Sequence, residues 1–118
     1  MKPNKRTQGA LGEQQAIDYL LKKKYSVLER NYRFEHGEID IIADDNGSLV
    51  FIEVKARRSK QFGDPEDAVT ESKRKQIRKT ADGYLFEHQI EDRVCRFDVI
   101  AIEYNGAMPV IRHLEDAF

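Results

Sequence analysis

Asp40, Glu53 and Lys55 lie in two runs that otherwise read as buried strands, Gly37-Glu-Ile-Asp-Ile-Ile-Ala43 and Phe51-Ile-Glu-Val-Lys-Ala-Arg57. A carboxylate among isoleucines and valines is costly unless it is paired, protonated or bound to a cation. The turn signal Asp44-Asp-Asn-Gly47 separates the two runs, so Asp40 and Glu53 converge if they share a sheet face. Glu13 adds a third acid. On a helical wheel it falls in the middle of an apolar stripe of Ala10, Ala16, Ile17, Leu20 and Leu21, where a leucine is expected. Three inward carboxylates repel one another, and Lys55 is the one cation placed to offset them. A divalent cation would complete the balance. Oxygen ligands with no cysteine or histidine cluster suit Mg²⁺ or Mn²⁺ rather than zinc.

The spacing Glu53-x-Lys55 carries little by itself. Glu71-Ser-Lys73 repeats it near a helix start, an ordinary setting where an acid suits the helix dipole. The competing reading of Glu53 and Lys55 is a cross-strand ion pair on a solvated sheet edge. Glu38 shares a strand side with Asp40 and fits either the rim of a site or a salt bridge. His36, His88 and His113 are scattered and show no ligand spacing, although His36 adjoins Gly37.

Basic residues gather after the second run: Arg57, Arg58 and Lys60, then Lys73, Arg74, Lys75, Arg78 and Lys79. Lys75 and Lys79 point away from the helix core stripe, as on a solvated face with pairing along the helix. Arg57, Arg58, Lys60, Lys73 and Arg74 are the candidates to border the carboxylates and hold phosphates. Such contacts position a nucleic acid without reading its sequence.

Holding these groups requires a particular set of elements. The pattern predicts a helix over 9–24, strands over 25–34, 38–43 and 48–57, a loop over 58–68, a helix over 69–88, and strands over 94–103 and 108–114. In the third strand Leu49, Phe51, Glu53, Lys55 and Arg57 share one side and Val50, Ile52, Val54 and Ala56 the other. Both sides begin apolar, so this strand is expected to be central and covered on both faces. Gly9 and Gly12 flank Glu13 and suggest close approach of another backbone. The expected class is α/β (α+β): a mixed five-stranded sheet flanked by helices, in the order α-β-β-β-α-β-β.

The 118 residues are expected to form a single domain, with 1–8 a flexible N-terminus. A third of them are charged, yet the net charge is −1, so a nucleic acid must be gripped by a local patch and not by the overall field. Cys95 is the single cysteine, which excludes an internal disulfide and a thiolate zinc cage. Met1 to Arg6 is basic but no apolar run follows, so no signal peptide or membrane span is expected and a cytoplasmic location is.

Gly12-Glu13-x-x-Ala16, Gly37-Glu-Ile-Asp40-Ile-Ile-Ala43, Phe51-Ile-Glu53-Val-Lys55-Ala-Arg57 and Arg96-Phe-Asp98-Val-Ile-Ala101 together resemble the YraN family of bacterial endonucleases, over about Gly9 to Ile102. The resemblance implies a restriction-endonuclease-like fold with the PD-(D/E)xK signature, similar to archaeal Holliday-junction resolvases. Ile39 stands where the signature's proline would be. It implies that Asp40 and Glu53 bind metal, that Lys55 is the catalytic lysine, and that Glu13 is a helix-borne acid completing the site. The function expected is metal-dependent hydrolysis of phosphodiester bonds in DNA, selective for branched or single-stranded forms, in repair or recombination. The resolvase analogy suggests a homodimer. The alternative is a catalytically inactive nucleic-acid-binding module on the same scaffold, and a third reading is a protein-interaction domain.

Overall fold

The computed structural model describes residues 5–58, 64–104, 106 and 108–118, with side chains from Gly9 onward. Their order is α1 (Lys5–Lys22), β1 (Ser26–Phe34), β2 (Gly37–Asp45), β3 (Ser48–Arg57), a 3₁₀ turn (Pro65–Ala68), α2 (Glu71–Glu87), β4 (Cys95–Tyr104) and β5 (Pro109–Leu114). The strands make one mixed sheet in chain order, antiparallel except for the parallel pair β3–β4. That parallel pair follows from α2, which forms the crossover a parallel neighbour requires.

Both faces of β3 are covered, as its sequence suggests. Val50 and Ile52 pack with Ala16, Ile17 and Leu20 of α1. Leu49 and Phe51 pack on the other face with Ile77, Ala81 and Tyr84 of α2. The hairpin between β2 and β3 turns through Asn46 (φ 51°) and Gly47 (φ 96°), the positive angles that tight hairpins need. At Gly12 the close neighbour is a side chain and not a backbone: a Cβ there would lie 3.2 Å from Ala56 Cβ of β3. Gly9 has no close neighbour, since a Cβ there would meet open space.

Several expectations are corrected. α1 starts at Lys5 rather than Gly9 and ends at Lys22 rather than Lys24. Lys24 turns left-handed (φ 72°), and Tyr25 N–H bonds back to Leu20 O at 3.0 Å, closing the helix in a Schellman arrangement. Ala10 and Leu21 leave the apolar stripe; Leu21 is 52 % exposed. The expected loop contains the 3₁₀ turn, whose Pro65 is buried, and α2 starts at Glu71 behind a Thr70 cap. Among the described residues, no helix is long and apolar enough to cross a membrane.

One irregularity positions the site. The β2–β3 ladder runs from Asp45↔Ser48 to Ile41↔Ile52 and stops, while β2 stays paired to β1 as far as Gly37 and β3 to β4 as far as Arg57. Ile41 packs on the α1 face and Ile39 on the α2 face, so the alternation of β2 breaks at Asp40. Across from it on β1, Asn31 takes a left-handed angle (φ 52°). The sheet therefore opens between β2 and β3 at Asp40.

Candidate active site

Where β2 leaves β3, the Val54 N–H has no β2 carbonyl opposite it. Asp40 takes that place: its Oδ2 accepts from Val54 N at 2.8 Å. A side chain thus substitutes for a rung of the ladder, and the bond pins the carboxylate at the opening. Glu53 precedes Val54 and lies on the α2 face of β3, only 4 % exposed. Lys55 Nζ is 3.4 Å from Glu53 Oε1. A second ammonium arrives from α2, with Lys73 Nζ 3.9 Å from the same oxygen. Glu13 is half-buried on α1; Asn31 hydrogen-bonds its carboxyl, and it feels the charges of Asp40, Glu38 and Arg30.

All three acids resist ionisation. Burial raises Glu53 from its ordinary 4.5 to about 7, the charge of Asp40 adds to the rise, and Lys55 and Lys73 oppose it. Burial also raises Asp40, against the Val54 hydrogen bond and Lys55. Glu13 is raised by burial first and by Asp40 next. The opening therefore concentrates negative charge that its two lysines only partly offset, and a divalent cation would relieve it.

The donor set fits such an ion in a particular way. Among the described residues, no three side chains of His, Cys, Asp or Glu stand together as a metal cage. Asp40 and Glu53 are brought together; Glu13 reaches Asp40 electrostatically without completing a three-acid group. Two carboxylates suit Mg²⁺ or Mn²⁺, which keep several waters and take the rest of their ligands from a substrate phosphate.

The basic residues divide. Lys73 joins the carboxylates. Arg57 is half-buried at the end of β3, and Arg58 is exposed just beyond it. Lys60 lies outside the described residues. Arg74, expected beside Lys73, is turned away: its Nε donates to Val69 O at 3.1 Å and its guanidinium lies over the Phe118 ring at 5.6 Å. It serves packing against the C-terminus. Lys79 pairs with Glu35 at 3.6 Å. His36 is exposed, and its carbonyl accepts from Gln76 Nε2 at 3.1 Å, tying the tip of the β1–β2 hairpin to α2.

Two features escape sequence reasoning. The first is the pairing of Lys73 with Glu53, since the sequence offers Lys73 only as a phosphate-binding candidate near the carboxylates; its signal is its place three residues after the cap Thr70, where a capping box has Glu. The second is a buried network on the α1 face. Asp98, wholly buried, accepts from Arg96 at 2.9 and 3.0 Å and from Asp116 N at 2.9 Å, with His113 Nε2 at 2.7 Å. Arg96 also reaches Asp45 and the Tyr25 hydroxyl at 3.1 and 2.8 Å. The alternation Arg96-x-Asp98 within an apolar strand was its visible sign.

A family model described as uncharacterised protein family UPF0102 matches residues 12–102, a span that takes in Glu13, Asp40, Glu53, Lys55 and Lys73. A UPF0102 protein of Geobacter metallireducens is 46 % identical over 110 residues, covering 93 % of this chain and 90 % of the relative. One from Geotalea daltonii is 47 % identical over 118 residues, covering 99 % and 93 %. One from Persephonella marina is 43 % identical over 110 residues, covering 93 % and 91 %. The likeness therefore spans nearly the whole of each chain and is not confined to a motif.

Proposed function

This chain belongs to the uncharacterised protein family UPF0102, and we propose that it is a metal-dependent endonuclease hydrolysing phosphodiester bonds in DNA, on a restriction-endonuclease-like PD-(D/E)xK scaffold. One observation carries the reading: Asp40 caps Val54 N–H at 2.8 Å where β2 leaves β3, beside a buried Glu53 that has Lys55 at 3.4 Å. Acids and lysine thus meet at an opening in the sheet, where a substrate can approach and backbone pairing is already broken.

Asp40 and Glu53 would hold Mg²⁺ or Mn²⁺, with the Val54 carbonyl as a further oxygen donor and Glu13 acting through water. The bound ion would supply a water of lowered pKa and polarise the phosphate. The Val54 N–H already fixes Asp40, so little conformational freedom is lost when that carboxylate binds. Lys55, on the same strand face as Glu53, would donate to the attacking water and to a non-bridging phosphate oxygen as negative charge grows there. Arg57, Arg58 and Lys60 would hold flanking phosphates, a grip that ignores sequence. The substrate would be branched or single-stranded DNA in the cytoplasm, and a two-fold pair of chains would permit two symmetric cuts.

The test is incubation of purified protein with labelled branched, duplex and single-stranded DNAs, with Mn²⁺, with Mg²⁺ and with EDTA. Metal-dependent nicking of one class supports the reading. Binding in EDTA with no cut in either metal would make the chain a binding module on a nuclease scaffold.

A further inference from the structure

Lys73 stands where a helix does not want a cation. It is the third residue of α2, in the turn whose free N–H groups carry the positive end of the dipole. Its backbone N–H is taken by Thr70 Oγ1 at 3.3 Å, so the cap forms while the position that favours Glu holds Lys. Neither helix stability nor capping accounts for it. Its ammonium instead crosses to β3 and rests 3.9 Å from Glu53 Oε1, the oxygen Lys55 also approaches at 3.4 Å.

Without a metal, the ammonium groups of Lys55 and Lys73 face Asp40 and Glu53 and offset part of their charge, with Glu13 adding to it. A divalent cation on Asp40 and Glu53 would take over that role and loosen the hold of those carboxylates on the lysines. Lys55 is bound to the sheet beside Glu53. Lys73 is on a separate element and farther from the carboxylate, with its side chain 36 % exposed against 29 % for Lys55, so it is the more readily displaced of the two.

We propose that Lys73 is an exchangeable counter-ion of Glu53: without metal its ammonium offsets that carboxylate, and metal binding would release it to grip a DNA phosphate. The inference rests on the endonuclease reading and adds a coupling between its two ligands. Lys73 opposes metal binding when DNA is absent and favours DNA binding when metal is present. Because such coupling is reciprocal, each ligand should tighten the other by the same factor.

The experiment measures Mn²⁺ binding by electron paramagnetic resonance, without DNA, on wild type, Lys73→Met, Lys73→Arg and Glu53→Gln. It then measures affinity for a labelled four-way junction in EDTA and in Ca²⁺. Lys73→Met should bind Mn²⁺ about three- to fivefold more tightly, the scale of losing one partly exposed competing charge. Lys73→Arg should stay near wild type. Junction affinity should rise with Ca²⁺ in wild type and lose that rise in Lys73→Met. Should Lys73→Met not give a cooperative melt, Lys73→Gln replaces it. Unchanged or weaker Mn²⁺ binding in the folded variant, with wild-type binding still lost in Glu53→Gln, overturns the exchange and leaves the endonuclease reading standing. Wild type that binds no Mn²⁺ in a Glu53-dependent way overturns both.

Discussion

Glu53 carries a cost that can be measured without any substrate. Its pKa in the folded chain is raised from 4.5 to about 7, so the folded state holds a proton there that the unfolded state has lost. Metal-free stability should therefore fall as pH rises between those two values. Glu53→Gln removes the titration and should flatten that slope, which urea unfolding at a series of pH values will read. A slope unchanged in the variant would show that Glu53 is not the group responsible. Mn²⁺ should raise the melting temperature of wild type at neutral pH and leave Glu53→Gln unmoved, because only the ionised pair binds it. Asp40, Glu53 and Lys55 are legible in sequence because charge inside an apolar strand has so few cheap explanations. The ion pair of Lys73 with Glu53 is not, because it joins two elements, and from its own helix Lys73 reads only as a phosphate-binding candidate nearby. Arg74 shows the converse: the helical wheel puts it beside Lys73, but in the structure its guanidinium meets Val69 O and the Phe118 ring.

At the scale of elements, the site depends on how closely α2 approaches the start of β2. A Cβ on Gly37 would sit 1.9 Å from Thr80 Oγ1, which is itself buried and donates to Gln76 O at 2.8 Å. Gly37→Ala should destabilise the fold by about 1–3 kcal/mol, as overpacking does, and it should displace α2 with its Lys73. Adding Thr80→Ala should recover most of the loss, a rescue that denaturant midpoints of the single and double variants will show. A Gly37→Ala chain as stable as wild type would mean that α2 is more loosely seated than the contact implies. Element types and order are legible because the periodicities are clean, most of all in β3. Their ends are not, since they are set by single backbone angles such as that of Lys24, which no periodicity encodes. The parting of β2 and β3 is equally hidden: the sequence alternates through Asp40, but the backbone does not.

Across the whole molecule, Asp98 ties β4 to β5 and, through Arg96, to the β2 end and Tyr25. Burial alone would raise its pKa, yet hydrogen bonds from His113, Arg96 and Asp116 N–H outweigh burial and hold it below 3.8. Its stabilisation is thus whole above that value and drains away as pH falls through the folded pKa. Its slope is opposite to that of Glu53, so the two groups pull the pH dependence of stability in opposite directions. Asp98→Ala leaves Arg96 and His113 facing a buried void, and should cost about 3–5 kcal/mol in urea unfolding. A loss under about 1 kcal/mol would show that the network is ornamental to stability. These effects concern the frame; the central claim concerns the opening in it. The most direct measurement is the rate of Mn²⁺-dependent cleavage of a labelled branched DNA by wild type and by a rigorously purified Glu53→Gln chain of the same fold. The account predicts nicks from wild type that EDTA abolishes and none from the variant; equal cutting by both would contradict it.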